Sequence, residues 1–494
     1  MSKIYKTPDV YVEEISSFPP SVAQVETAIP AFVGYTEKAE KNGRSLLNQP
    51  TKVHSFLEFQ DYFGGDYISK FLLVPKIPQD PSPIRIGNQD FSLQLKPNQR
   101  AYLFRAVSDF FSNGGKACYV VSVGTYGEKD QVPISKEGLL GITSSRNSSP
   151  KGLKALMDLR EPSILVIPDA VALGSQSTEV YQEMLKHCHE HGNRFSIFDL
   201  HNGFEEMNPR GDCINEFRNG IGNSNLSLGS AYYPWLDRPE NQLSLNFSNL
   251  DPQIKLSEIL LEENALEVLN SNLSIEKDLH LGLLNTSPTY KHILKAMGKI
   301  LKPSPISGAI AGVFSRVDLT RGVWKAPANV ALNGFEKPCV SISTNQQQDL
   351  NVDSTSGKSI NSIRHFQGKG LLVWGARTLA GNDNEWRYIP VKRTYLMVRE
   401  SIHSSLNSFV FEPNDANTWA RIRAMVENFL TYLWRSGAFQ GIKPDQAFFV
   451  RMGLGQTMTS QDILEGKGII EIGMALVKPA EFILLKLNLA FQEA

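Results

Sequence analysis

The densest run of side chains able to bind a metal is His187-Cys188-His189-Glu190-His191. On a helix, His187 and His191 stand at i and i+4, one above the other, where two imidazoles can share a cation. No HExxH pattern and no third ligand at a fixed spacing accompanies them. Gly192-Asn193 follows at once, and histidines in a last turn complement the negative end of the helix dipole, so the expectation is a helix terminus and not a metal centre. Asp169 and Asp199 are the other chemically suggestive pair. Each closes a short apolar run, Ser163 to Asp169 and Phe195 to Leu200, and doubly wound enzymes place catalytic or magnesium-binding carboxylates at such strand ends. No nucleophile and base accompany them, and aspartates after strands commonly cap the next helix. Ser356-Gly357-Lys358-Ser359 copies the end of a phosphate-binding loop, but Val352 stands where that loop needs glycine. Gly453-Leu454-Gly455 lacks the third glycine of a dinucleotide fingerprint and reads as a turn. The expectation is no catalytic residue, no metal and no cofactor. An α/β hydrolase or phosphotransferase using Asp169 and Asp199 is the competing reading.

The elements that would position these residues alternate between two periods. Leu103, Val107, Phe110 and Phe111 suit a helix that Asn113-Gly114-Gly115 ends, and Ala117 to Val123 reads as a buried strand. Leu153 to Leu159, Val180 to Glu190 and Cys213 to Gly220 read as helices. Between and after them run the strands Ser163 to Asp169, Phe195 to Leu200 and Leu226 to Leu236. Short apolar strands separated by helices predict an α/β domain over about 100–237, with a mainly parallel sheet covered on both faces. Ile254 to Leu269 and His292 to Leu301 are expected helices, and Pro303 and Pro305 mark an expected boundary. Beyond it two amphipathic helices stand out. Val391 to Phe409 carries Tyr395, Val398, Ile402, Leu406 and Phe409 on one face, and Ala416 to Arg435 carries Trp419, Ile422, Val426, Phe429 and Leu433. Ala447 to Met452, Gly468 to Met474 and Phe482 to Phe491 are expected strands. Ile483, Leu485, Leu487, Leu489 and Phe491 alternate with their neighbours at period two, as on a one-faced strand. Val10, Tyr11, Val12 and Ile15 form a similar run near the other end. Such terminal strands either return to their own sheet or add to the edge of another molecule.

Composition narrows the function classes. The chain has 494 residues, 41% of them hydrophobic, which excludes a disordered chain. At roughly 100–200 residues per domain it has room for two to four. Lys and Arg number 50 against 51 Asp and Glu, so no broad basic field exists to drive nonspecific nucleic-acid binding. Cys118, Cys188, Cys213 and Cys339 lack CxxC spacing and read as small buried hydrophobes. Glu13 and Glu14 interrupt the stretch where a signal peptide needs apolar residues, and no apolar run approaches a membrane span, so synthesis in the cytoplasm without membrane insertion is expected.

Several motifs together carry a family resemblance. Tyr5-Lys6-Thr7-Pro8-Asp9-Val10-Tyr11-Val12-Glu13-Glu14-Ile15, then Pro19-Pro20-Ser21 and Ala28-Ile29-Pro30-Ala31-Phe32-Val33-Gly34, resemble the start of phage-type contractile tail sheath proteins. Pro305-Ile306-Ser307-Gly308, Ala311-Gly312-Val313 and Arg321-Gly322-Val323-Trp324-Lys325-Ala326-Pro327-Ala328-Asn329 resemble that family's central segment. Gly370 with Val373-Trp374-Gly375-Ala376-Arg377-Thr378-Leu379, Phe411-Glu412-Pro413-Asn414-Asp415 and Lys478-Pro479-Ala480-Glu481-Phe482 follow in the family's order. Met474-Ala475-Leu476-Val477 departs from the shorter Ala-Pro approach of many members. The length and N-terminal wording are most similar to sheaths of phage-like contractile injection systems.

The resemblance implies a structural subunit and no enzyme. Such a subunit polymerises around an inner tube and contracts to drive the tube through a target envelope. It implies an N-terminal arm and first part of a core domain in residues 1–40, an inserted middle region at 41–302, the rest of the core at 303–477 and a C-terminal strand arm at 478–494. Expected partners are further copies of the chain, an inner tube protein, and baseplate and terminal cap proteins; a disassembling ATPase is left open, and nucleic acid is not expected. Assembly in the bacterial cytoplasm, as part of a particle released or anchored in the cell, completes the expectation. Val10, Tyr11, Val12, Ile15, Ile483, Leu485, Leu487, Leu489 and Phe491 are the expected intersubunit arm residues. Arg421, Arg423 and Arg435, on the polar side of their helix, are expected to face the tube.

Overall fold

The computed structural model describes residues 21–80, 82–126, 131–141, 149–208, 211–239, 243–271 and 275–481. The expected arm residues Val10, Tyr11, Val12 and Ile15, and Ile483, Leu485, Leu487, Leu489 and Phe491, lie outside the described residues.

Among the described residues a nine-stranded sheet organises most of the chain. In chain order its strands are β1 (Pro30–Thr36), β2 (Thr51–Val53), β3 (Cys118–Thr125), β4 (Ile164–Val166), β5 (Phe195–Asp199), β6 (Gly229–Tyr233), β7 (Val330–Ala331), β8 (Ile360–Phe366) and β9 (Gly370–Trp374). Their spatial order is β7-β9-β8-β6-β5-β4-β1-β3-β2. The six strands from β8 to β3 run parallel, with antiparallel strands added at both ends. Every residue of β1, β4, β5 and β6 is buried, which is why these segments read as unbroken apolar runs and not as alternating ones. Phe32 of β1 registers with Val120 on one side and Val166 on the other. The parallel sheet expected over 100–237 is therefore present, and it recruits β1 and β2 from before that range and β7 to β9 from after it. Described residues fall into two compact units, 26–397 with the segment from Lys478, and 398–477 with the segment up to Val25, so residue 302 lies inside the larger one. Pro303 begins a two-residue strand, Pro303–Ser304, that pairs antiparallel with Leu236–Asp237, a partner remote in sequence.

Three helices of the larger unit matter for the sites below: α1 (Leu103–Ser112), α2 (Ser177–His191) and α3 (Ser307–Arg321). α1 and α3 pack backbone to backbone. A Cβ on Gly308 would stand 2.1 Å from the Ala106 carbonyl oxygen, and one on Gly312 would stand 2.5 Å from that of Phe110. Small residues one turn apart permit this approach, which explains the Ser307-Gly308 and Ala311-Gly312 wording in packing terms. Asp318 of α3 forms a buried two-pronged pair with Arg393, at 2.9 and 2.6 Å.

The expected helix over 153–159 is a 3₁₀ turn, Gly152–Leu156. The expected helix 254–269 is broken into Leu256–Ile259 and Glu263–Asn270. The break turns Leu260 fully into a separate core with Phe71, Ile84, Leu283, Tyr290 and Met297, and lets Glu262 accept hydrogen bonds from Ser287 and Thr289. This core joins a three-stranded sheet of residues 71–95 to the helices that end at Leu301.

Helix α4 (Ile389–Leu406) leads into the smaller unit, where α5 (Ala416–Arg435) begins at Asp415, whose carboxylate accepts from the Thr418 amide at 2.8 Å. Ile422, Val426, Phe429 and Leu433 are buried as the periodicity requires. β10 (Phe448–Arg451) and β11 (Glu471–Met474) pair antiparallel as a two-stranded sheet.

Candidate functional site

The strand-end aspartates are consumed by helix starts. Asp169 Oδ1 accepts from the Tyr102 and Leu103 amides at 2.6 and 3.2 Å, and Oδ2 accepts from Tyr35 at 2.7 Å. Asp199 Oδ1 accepts from the Ile306 and Ser307 amides at 2.8 and 3.0 Å. Each carboxylate thus caps a helix, α1 or α3, distant in sequence, and not the next helix as expected. Asp169 sits beside the β1/β4 junction where the strand order reverses, the place an α/β enzyme would keep for its ligand. Its Oδ2 fills the space over Gly34, only 2.4 Å from where a Cβ would be. Burial pushes both carboxyls up to about 6, against the opposing pull of the amides.

The histidines do not complement a dipole as charged groups. Burial, and then the charge of Arg194, hold His187 down at about 3 and lower His191 as well. His187 Nε2 faces the Arg194 guanidinium, and His191 bridges the Met157 carbonyl at 2.7 Å and Asn193 at 3.1 Å. Arg194, fully buried, also donates to the carbonyls of Leu156, Leu159 and Pro162, so the cluster ties α2 to the preceding loop. A cation would have to displace a guanidinium.

The most completely built polar site lies at Glu481, immediately before the expected C-terminal arm strand. Arg377 Nε donates to Glu481 Oε1 at 2.9 Å and Nη2 to Oε2 at 2.5 Å. Asn351 Nδ2 adds a bond to Oε1 at 2.8 Å, and the Tyr388 hydroxyl one to Oε2 at 3.1 Å. Arg377 is 3% exposed and its Nη1 also reaches the carbonyls of Asn351 and Gly381. Its backbone is held in turn: Asn361 of β8 accepts from the Arg377 amide and donates to its carbonyl, both at 2.8 Å. A Cβ on Gly375 would lie 2.6 Å from Asn361 Oδ1, so this exchange requires glycine there. Burial pushes the Glu481 carboxyl up, but the hydrogen bonds from Arg377 and Asn351 and the Arg377 charge outweigh it and leave the group below its usual range. Lys478 adds a bond to the Asn384 carbonyl at 2.9 Å. Two of the motifs that carried the family resemblance, one with Arg377 and one with Glu481, meet here. Sequence reasoning assigned neither residue a role; the available signal was the lone charge of the Arg377 motif and the one acid, beside Lys478, of the Glu481 motif.

On α5, Arg421 and Arg423 are partly exposed and locally paired, Arg421 with Glu412 at 3.3 Å and Arg423 with Glu427 at 3.9 Å. Arg421 also lies over the Phe409 ring. Arg435 is exposed in the last turn of the helix, where a cation complements the dipole.

Comparison with known proteins gives one consistent result. Residues 381–490 match the phage tail sheath C-terminal domain. The tail sheath protein of Burkholderia phage BcepMu is 31% identical over 144 residues, 28% of this chain and 30% of the relative, so the alignment spans less than a third of that relative's length. Among solved structures, a chain of the contracted sheath complex of an extracellular contractile injection system, PVC, is 26% identical with a TM-score of 0.61, covering 99% of this chain and 98% of the other. A chain in the baseplate of the anti-feeding prophage is 28% identical with a TM-score of 0.61, covering 99% of this chain and all of the other. Over its C-terminal part the chain is therefore similar to phage tail sheath proteins, and from end to end to a chain of a contracted injection-system sheath.

Proposed function

We propose that this protein is the sheath subunit of a phage-like contractile injection system, polymerising around an inner tube and contracting to drive it through an envelope. The observation that carries the reading is the end-to-end correspondence with a subunit of a contracted injection-system sheath. The parts described above are consistent with it. The Arg377 clamp fixes Glu481, the residue just before the expected arm. Among the described residues β10 and β11 form a sheet of two strands, with edges where an arm from another copy can add by backbone hydrogen bonds. Self-association and baseplate attachment follow as partners, with an inner tube facing Arg421, Arg423 and Arg435. Local pairing does not disqualify those arginines, because exposed pairs are worth only ~0–1 kcal/mol and exchange readily. No described helix is long and apolar enough to cross a membrane. The hydrolase reading has lost its residues, since Asp169 and Asp199 are spent on backbone amides.

Electron microscopy of the full chain, expressed alone and together with an inner tube protein, tests the proposal. Hollow or tube-filled helical particles are expected. A chain that stays monomeric under both conditions would overturn it.

A further inference from the structure

A cleft of about 1140 Å³ opens in the larger unit between the helix Pro288–Leu301, the three-stranded sheet of residues 71–95 and the paired strands Leu236–Asp237 and Lys337–Pro338. Ile84, Leu93 and Ala296 give it an apolar lining, and its charge comes from one helix face. Lys291, Lys295 and Lys299 stand at i, i+4 and i+8 of that helix, all exposed and all lining the cleft. Among the described residues none of the three has an ion-pair partner, whereas Lys302 lies 3.8 Å from Glu336 and Lys337 3.9 Å from Asp237. Asp80, the remaining acid of the cleft, accepts from the Ser82 amide at 2.9 Å. Like charges at i and i+4 repel along a helix, and Lys291 sits in the first turn, where the dipole disfavours a cation. The stripe is a standing cost that acids from outside would remove.

The chain carries a matching acidic stripe. Glu263 and Glu267 stand at i and i+4 of the helix Glu263–Asn270, both exposed and, among the described residues, neither in an ion pair. Glu267 lies in the last turn, where the dipole disfavours an acid. Other acids at this spacing are already engaged: on α2, Lys136 holds Glu179 at 2.6 Å and Lys186 lies 3.6 Å from Glu183, while Lys255 holds Glu258 at 2.8 Å and Ser287 and Thr289 hold Glu262. The dimensions agree as well. At ~1.5 Å per residue the lysine stripe spans about 12 Å, and the eight-residue acidic helix is equally long. Neither glutamate lines the cleft, so the two stripes are different surfaces of one molecule. Pairing them between copies is a heterologous contact, the kind that continues from copy to copy, and charge complementarity sets its partner and register.

We propose that the lysine cleft receives the Glu263 and Glu267 helix face of another copy of this chain. The inference rests on the sheath-subunit reading and adds a contact made by the body, separate from the arms. Lys291→Glu with Lys295→Glu, and separately Glu263→Lys with Glu267→Lys, made in the full chain, should each lower the sedimentable polymer at low salt about tenfold or more, because like charges then oppose each other across the contact. All four positions are exposed, so melting temperatures should stay close to that of the wild type. An equimolar mixture of the two double variants should polymerise again, each reversed cleft taking the reversed helix of its neighbour, and so should a chain carrying all four substitutions. A pairing made within one chain would be restored by the fourfold variant but not by mixing. A carbodiimide, which joins an amine to a carboxylate in contact with it, should link the Lys295 peptide to the Glu267 peptide in polymer and not in monomer. Polymer of normal yield from either double variant overturns the proposal, as does a mixture that stays unassembled. A wild-type chain that forms no polymer removes the sheath reading itself, whereas wild-type polymer with unaffected variants removes the cleft contact alone.

Discussion

Arg377 shows how much one side chain can determine. It is buried, and its fork meets a carboxylate that two further residues also hold, so removing it strands Glu481 half-buried without its charge partner. Breaking a buried pair of this kind costs ~3–5 kcal/mol, and lysine, a point charge without the planar fork, cannot replace the geometry. Arg377→Ala and Arg377→Lys should therefore both lower the denaturant midpoint, the alanine variant more. Because the Glu481 carboxyl lies below its ordinary range when folded, its contribution is present above that range and is lost as pH falls through the depressed value. The stability gap between wild type and Glu481→Gln should hold through neutral pH and close on acidification. The capping aspartates behave oppositely. Raised to about 6, Asp199 stabilises the fold most when protonated, and that contribution fades as pH rises through 6. The deficit of Asp199→Asn relative to wild type should shrink between pH 4 and 7 in urea titrations. Asp169→Asn should be the more damaging of the two, by roughly 1–3 kcal/mol, since both its oxygens accept from amides and one would become an opposed donor.

Elements inherit these constraints through the faces they present. α3 carries Gly308 and Gly312 where a helix designed for propensity alone would carry alanine, worth about 0.8–1.0 kcal/mol per site. The α1 backbone occupies the space, so Gly308→Ala should destabilise by roughly 1–3 kcal/mol despite the better propensity. An increase in the denaturant midpoint would show that the two helices part without penalty. α5 is the reverse case, with a polar face open to change. Exchanging Arg421 and Arg423 for Glu places like charges beside Glu412 and Glu427, yet should shift the melting temperature little, because surface pairs contribute ~0–1 kcal/mol. The same double variant should assemble poorly on a tube, most visibly at low salt, if these arginines face it.

For the whole molecule the decisive experiment is removal of residues 482–494. The clamp at Glu481 lies before the cut and all its partners lie in the body, so the truncated chain should remain folded, with an unchanged melting temperature. It should fail to polymerise, read by sedimentation and microscopy, because the strand that would add to another copy is gone. Normal sheath from this truncation would leave the arm without a role and throw the weight of assembly onto other contacts between copies.

Local pattern alone determined a good part of this protein. Apart from the 3₁₀ turn Gly152–Leu156 and the unexpected short helix Lys136–Leu140, the described strands and helices from 103 to 233 follow from buried apolar runs and 3.6-residue periodicity, α5 begins and ends where its cap and apolar face require, and the motifs carrying Arg377, Phe411 and Glu481 pointed to the sheath family. Short-range energetics explain that success, since a cap or an apolar stripe acts within a turn or two. Pairing across the chain was not legible. β1 enters the middle of a sheet whose other strands lie up to more than 300 residues away, Asp169 and Asp199 cap helices that do not follow them, and Glu481 is held by a residue 104 positions earlier. Each of those contacts satisfies a buried polar group or a sheet edge, and which partner is available for that is settled only when the chain has closed on itself. The opposite fates of Phe409 and Phe411 belong to the same class: the motif is visible in the sequence, but that the first ring is buried and the second stands in solvent is settled by packing.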